Sequence, residues 1–171
     1  SYYLQTDSSS YLYRVLSKGF GDNENARIFS PGDGYSVNNG PQSGAIKIAL
    51  PAAGSFTNTM ISFTVKIYNY STGTSRTICV GGYTYYDTNW YNVFAYQSGD
   101  QGAGDLNVRF GIEGGRNCVW IGETNTSWSY PNIFVTDVQS GHSQPSALLD
   151  GWTVSIVTSF GTVQTSRTAH Q

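Results

Sequence analysis

Apolar and polar residues alternate in short runs along this chain, and nowhere do apolar residues recur at the i, i+3, i+4, i+7 spacing of a helix face for three turns. The clearest run is ISFTVKIY. Ile61, Phe63, Val65 and Ile67 fall on one side and Ser62, Thr64, Lys66 and Tyr68 on the other, because successive strand side chains point to opposite faces. The same pattern recurs in AIKIAL (Ile46, Ile48, Leu50), LNVRFGI (Leu106, Val108, Phe110, Ile112) and GWTVSIVTSF (Trp152, Val154, Ile156), with turn chemistry such as PAAG, STGT and EGGRN between runs. NCVWIG and NIFVTDV are more continuously apolar, as expected of central strands covered on both faces. About eight or nine short strands, with Gly-rich turns and little or no helix, predict an all-β antiparallel β-sandwich of jelly-roll type.

The sandwich is expected over residues 45–171, with residues 1–44 as an N-terminal extended segment. Within the latter, SYLYRVLSKG fits a strand or a short helical turn, and RIFSPGDGYSVNNGPQSG reads mainly as loop. Tyr2, Tyr3, Tyr11 and Tyr13 there fit an inter-subunit contact, since such rings bury large areas with few rotors to freeze.

Composition sharpens this picture. Of the 171 residues, 12% are charged, against roughly 25% in ordinary soluble domains, while 15% are aromatic. A net charge of -2, with Lys and Arg scattered, offers no basic field for phosphate, so nucleic acid is not an expected partner. No window approaches the roughly 18 apolar residues that span a bilayer, so no membrane insertion is expected, and SYYLQTDSSS lacks the regions of a secretory signal. The absent initial Met points to a piece of a longer chain. Asn69 and Asn125 match the glycosylation pattern, which without a secretory signal reads as coincidence.

Candidate catalytic groups are few. His142 sits in the loop QSGHSQP and His170 in the tail; there is no GxSxG elbow, HExxH, P-loop, GxGxxG or EF-hand loop, so neither catalytic residues nor cofactors are expected. A glycosidase needs two carboxylates roughly 5 to 9.5 Å apart across a sugar, and Asp87, Asp100, Asp105, Glu113, Glu123 and Asp137 are isolated along the chain. Two acidic loops, GDNEN (Asp22, Glu24, Asn25) and SGDQGAGD (Asp100, Asp105), have oxygen ligands suited to a hard cation, but Gly and Asp are also ordinary turn residues, and no metal is expected. Cys79 and Cys118 lie in strand-like runs without metal-site spacing and read as buried free thiols, with a disulfide as the alternative.

The more distinctive signal mixes aromatic rings with amides and carboxylates. GGYTYYDTNWYN gathers Tyr83, Tyr85, Tyr86, Asp87, Asn89, Trp90, Tyr91 and Asn92, and GETNTSWSYPN gathers Glu123, Asn125, Trp128, Ser129 and Tyr130. A pyranose offers C–H faces that lie on a ring and hydroxyls that need paired donors and acceptors, so Asp87, Asn89, Trp90, Tyr91, Glu123, Asn125, Trp128 and Tyr130 are the candidate ligand-binding residues. Core, edge or subunit packing is the competing role for each of these rings.

The stretch GIEGGRNCVWIGETNTSWSYPNIFVTDVQSGH, followed by GWTVSIVTSFGTV, resembles a domain near the C-terminal end of bacteriophage tail-fibre and tailspike proteins. The matching pieces are an FGxxG turn, a cysteine-bearing strand ending in IGETN, a W-S-Y-P turn, a VFVTDV-like strand and a final W-x-V-S-x-V-T-S-F strand. The resemblance covers residues 45–167, more loosely upstream. It departs at Ile112 and Glu113, where relatives carry a charged or histidine-containing turn, and at Asn117, where they carry a second cysteine beside Cys118. The resemblance implies a homotrimer at the distal tip of a virion tail fibre, attaching to a host glycan (lipopolysaccharide or capsule) or an outer-membrane protein without catalysis. It also implies that a C-terminal trimerisation chaperone follows SRTAHQ and is removed after assembly. The alternatives are a carbohydrate-binding module or lectin domain of a larger enzyme, and a glycan-cleaving depolymerase.

Overall fold

The computed structural model describes residues 26–31, 33–36, 40–71, 73–100, 102–143 and 145–171, with side chains from residue 30 onward. The N-terminal tyrosines, the run SYLYRVLSKG and the GDNEN loop lie outside the described residues.

Two antiparallel sheets pack face to face. The front sheet runs in the order β1 (Ala26–Phe29), β11 (Asn132–His142), β5 (Thr59–Tyr68), β6 (Arg76–Thr84), β7 (Trp90–Gly99), with β2 (Gly34–Ser36) also paired to β11. The back sheet runs β12 (Thr153–Val157), β4 (Ala45–Ala49), β9 (Arg116–Ile121), β8 (Leu106–Glu113), β13 (Thr162–Ala169). A short ladder of β3 (Pro41–Ser43) with β10 (Ser127–Ser129) completes the thirteen strands among the described residues. Two 3-10 turns, Ala52–Gly54 and Pro145–Leu148, are the only helical elements among them, and no helix is long and apolar enough to cross a membrane. The chain is an all-β sandwich. It has more strands than the expected eight or nine because β1, β2, β3 and β10 span three or four residues, too few to show alternation. Three of these precede residue 45, so sandwich structure reaches back to Ala26.

The core is the alternation made solid. Ile61, Phe63, Val65 and Ile67 of β5 are buried, as are Ile78 and Val80 of β6 and Ile133 and Val135 of β11, facing Ile46, Ile48, Val108, Phe110, Val119 and Ile121 of the back sheet. The β8–β9 hairpin turns on Gly114 and Gly115, whose φ of 58° and 73° are the consecutive left-handed pair of a type I′ turn. One side of the sandwich is sealed where β7 meets β13: the Gln97 amide donates to the His170 carbonyl at 2.9 Å. His170, expected in a tail, is thus a bridging residue opposite Tyr96, its ring nitrogen 2.6 Å from Asp105.

The outer faces differ, and that difference positions the site. On the back sheet, Ala45, Ala49, Cys118 and Trp120 form a second buried cluster beneath Val157 and Phe160, and the Arg109 guanidinium lies 4.4 Å from the Phe160 ring centre. NCVWIG is therefore covered on both faces. NIFVTDV is not: Ile133, Val135 and Val138 are buried, but Phe134 is 43% exposed on the outer face of the front sheet, which stays open. The cysteines are unpaired and belong to different sheets. Cys118 is buried in the covered face, which pushes its thiol pKa up, whereas Cys79 is half-exposed on the open face and is no core residue.

Candidate functional site

The hairpin joining β6 to β7 carries four tyrosines in mutual contact. Tyr83 and Tyr85 are stacked with ring centres 6.0 Å apart; Tyr85 meets Tyr86 at 5.4 Å and Tyr91 edge-on at 6.5 Å, and Tyr83 meets Tyr91 at 6.4 Å. Three of these rings are nonetheless open to solvent: Tyr85 at 40%, Tyr91 at 42% and Tyr86 at 61%. Strand pairing explains part of the grouping, since Tyr83 lies near the end of β6 with Tyr91 as its cross-strand partner, and Tyr85 follows just past the end of that strand.

The polar residues of the loop hold it in shape. Asp87 accepts a hydrogen bond from the Tyr91 hydroxyl at 2.5 Å and one from the Asn89 backbone amide at 3.0 Å. These bonds favour the ionised carboxylate, the Tyr91 bond most, and hold Asp87 below its ordinary pKa, while the same bond pushes Tyr91 up. Tyr83 is also pushed up, by desolvation and then by Tyr85 and Tyr86. Thr88 has a φ of 70°, an uncomfortable region for a β-branched residue, and its carbonyl accepts from Gln164 Nε2 at 2.9 Å. Strain of this kind persists only where neighbours over-determine it, and the Asp87 cap and the Gln164 clamp do so here.

The structure corrects the role of two predicted residues. Trp90 and Trp128 are 6% and 2% exposed and belong to the core. Trp90 Nε1 donates to the Gly111 carbonyl at 3.0 Å and Trp128 Nε1 to the Gly44 carbonyl at 2.8 Å, so each indole uses its one donor inside the sandwich and has no face free for a ligand.

Nor do the eight predicted residues form one site. Thr59, at the start of β5, pairs with Thr84 beside the hairpin, whereas Tyr68, at its other end, pairs with Asn132 beside Tyr130. Ten strand residues separate these ends by about 30 Å. At the far end Glu123 accepts from Asn107 at 2.9 Å and from Arg109 at 2.8 Å, which hold its carboxyl below the ordinary range. Asn125 is exposed in the turn before β10, and Tyr130 packs edge-on against Tyr70 at 5.9 Å.

Between the ends, the open face of the front sheet holds a groove of about 640 Å³ beginning at Tyr83 and running over Met60, Ser62, Phe94, Asn92 and Gln139. Glycine makes its floor. Gly82 and Gly141 line it, and beside them a Cβ on Gly81 would stand 2.6 Å from the Phe94 ring, so the bare backbone lets that ring approach β6. Met60, 56% exposed, and Phe94, 37% exposed, were not foreseen. Met60 was readable, being in phase with Ser62, Thr64 and Lys66 on the polar side of β5. Phe94 was not, because a bulge between Gly81 and Tyr83 on the β6–β7 ladder shifts the alternation along β7.

Among the described residues, no cluster of three or more His, Cys, Asp and Glu side chains is arranged to hold a metal. Asp105 of the expected second acidic loop is engaged by His170, and Asp100 accepts from the Gly73 amide at 3.1 Å. His142 is exposed at the end of β11. Asp33 is a carboxyl held above its ordinary pKa, by burial first and by the nearby charge of Asp150 second. Comparisons with protein-family models, curated proteins and solved structures find no match to this chain. What the fold and the surface define together is a class: an all-β sandwich with one covered outer face and one open face, rimmed by exposed tyrosines.

Proposed function

We propose that this chain is a recognition domain that binds a bacterial surface glycan without altering it, as the distal tip of a phage tail fibre does. The observation that carries the reading is the hairpin cluster: Tyr85, Tyr86 and Tyr91 remain exposed while fixed against one another and, through Tyr91, against Asp87. Rings held in place before contact lose little freedom on binding, which is what a weak carbohydrate site needs. The carboxylates at both ends support binding over catalysis. A general acid needs a raised pKa, and Asp87 and Glu123 are both lowered and belong to opposite ends of the sandwich, so they do not form the closely spaced pair of a glycosidase, roughly 5 to 9.5 Å apart. In a homotrimer, three such sites would act together through effective concentration, so that no single site need be tight.

The test is a Tyr85→Ala, Tyr86→Ala double variant assayed for adhesion to a panel of bacterial strains that differ in lipopolysaccharide and capsule. Adhesion of the parent to at least one strain, weakened about tenfold or more in the variant at unchanged circular dichroism, is the expected result; equal adhesion by both proteins refutes the reading.

A further inference from the structure

We infer that the groove on the open face of the front sheet is a second subsite, continuous with the hairpin tyrosines, that accepts an uncharged sugar unit and excludes acidic ones. The inference rests on the glycan-binding reading above and adds the place and the charge class of the ligand.

Backbone geometry comes first. The groove lies between two interruptions of the sheet, one between Gly81 and Tyr83 on the β6–β7 ladder and one between Thr136 and Gln139 on the β11–β5 ladder. Each carries a non-glycine residue in the left-handed region, Asn92 with φ 50° and Asp137 with φ 49°. Bulges re-aim side chains, and here Asn92 from β7 and Gln139 from β11 enter the groove from opposite walls. Both amides are exposed and neither has a hydrogen-bond partner among the described residues, so each offers two donors and an acceptor to whatever enters.

The remaining lining defines the ligand. Phe94 and Tyr83 supply ring surface, Met60 a pliable apolar wall and Ser62 a hydroxyl. Among the described residues, no charged side chain lines the groove. An acidic sugar would give up hydration of its carboxylate with no cation to replace it, whereas a neutral pyranose can set a C–H face on Phe94 and hydroxyls on the two amides. The volume of about 640 Å³ lies within the range of small-ligand sites, roughly 300 to 1,000 Å³. Because Tyr83 belongs both to the lining and to the hairpin cluster, a glycan chain can run from one to the other without leaving the protein surface.

The experiment is saturation-transfer NMR on the full chain at millimolar sugar. The probes are the methyl glycosides of glucose, galactose and mannose and N-acetylglucosamine, set against glucuronic acid and N-acetylneuraminic acid. The parent is compared with Asn92→Ala, Gln139→Ala and with Tyr85→Ala, Tyr86→Ala. Saturation of at least one neutral sugar and of neither acid is expected, weakened about tenfold in the Asn92, Gln139 variant through loss of two hydrogen bonds, with the fold retained by circular dichroism. Acidic sugars saturating as strongly as neutral ones would overturn the charge selectivity. Saturation that survives the groove variant but disappears in the hairpin variant would overturn the groove and leave the receptor reading standing. No saturation from any probe overturns the inference, and adhesion to cells then decides the receptor reading by itself. A fall in sedimenting mass on Phe94→Ala would show that the face binds another copy of the chain, which overturns the inference as well.

Discussion

A tryptophan and a tyrosine of one hairpin have opposite fates here, and the difference is testable by substitution. Trp90 fills the core and donates to Gly111, so Trp90→Ala should cost about 3 to 5 kcal/mol of stability, read as a lower denaturant midpoint. Tyr86, 61% exposed, should cost little stability on truncation and act on binding instead. The hairpin also carries a pH signature. Asp87 has a folded-state pKa below its ordinary value of 3.8, so its contribution is present above that value and is lost as pH falls through the folded pKa. Tyr91→Phe removes the largest cause, and NMR titration of the Asp87 carboxyl should then find its pKa moved up toward the ordinary value; no movement would show that the bond is unimportant. Which side of a strand each ring would take was legible only where alternation was regular. Ile61 to Tyr68 sorted correctly, but Trp90 and Trp128 stand among polar residues in sequence, and their burial depends on partners, Gly111 and Gly44, distant along the chain.

The elements add constraints that no single residue shows. Thr88 occupies a left-handed conformation at the tip of the β6–β7 hairpin, where asparagine is more comfortable. Thr88→Asn should raise the thermal midpoint, relieving about 1 kcal/mol of strain with the tyrosine contacts retained; a lower midpoint would mean that the threonine side chain contributes contacts beyond those described. Gly111 on β8 faces the opposite situation. A Cβ there would collide with the Thr162 carbonyl of β13, so Gly111→Ala should destabilise by about 1 to 3 kcal/mol and loosen the β8–β13 ladder, visible as faster amide exchange along β13. The long strands were legible in the hydrophobic pattern because each exposes one face to the core. The four shortest were not, and the bulges that shape the groove were invisible because a one-residue slip reverses every later side chain without leaving a mark in composition.

For the molecule as a whole, the two outer faces set the division of labour. Trp120, Cys118 and Phe160 close the back, and the front presents rings, amides and a floor of glycine. The sandwich class was legible from strand spacing and turn chemistry, and so was the chemical character of the tyrosine hairpin. The distance between the two aromatic stretches was not, because it depends on β5 running ten residues from one end of the sandwich to the other. A fibre tip also predicts a stable trimer by sedimentation; a persistent 18.6 kDa monomer would favour a binding module over that assembly.

The most direct measurement of recognition without turnover is incubation of the parent protein with purified host lipopolysaccharide and capsule, recording bound fraction and glycan size together. Retention of the glycan at unchanged length, lost in Tyr85→Ala, Tyr86→Ala, is the predicted result. Shortening of the glycan, or retention indifferent to both tyrosines, would contradict the account.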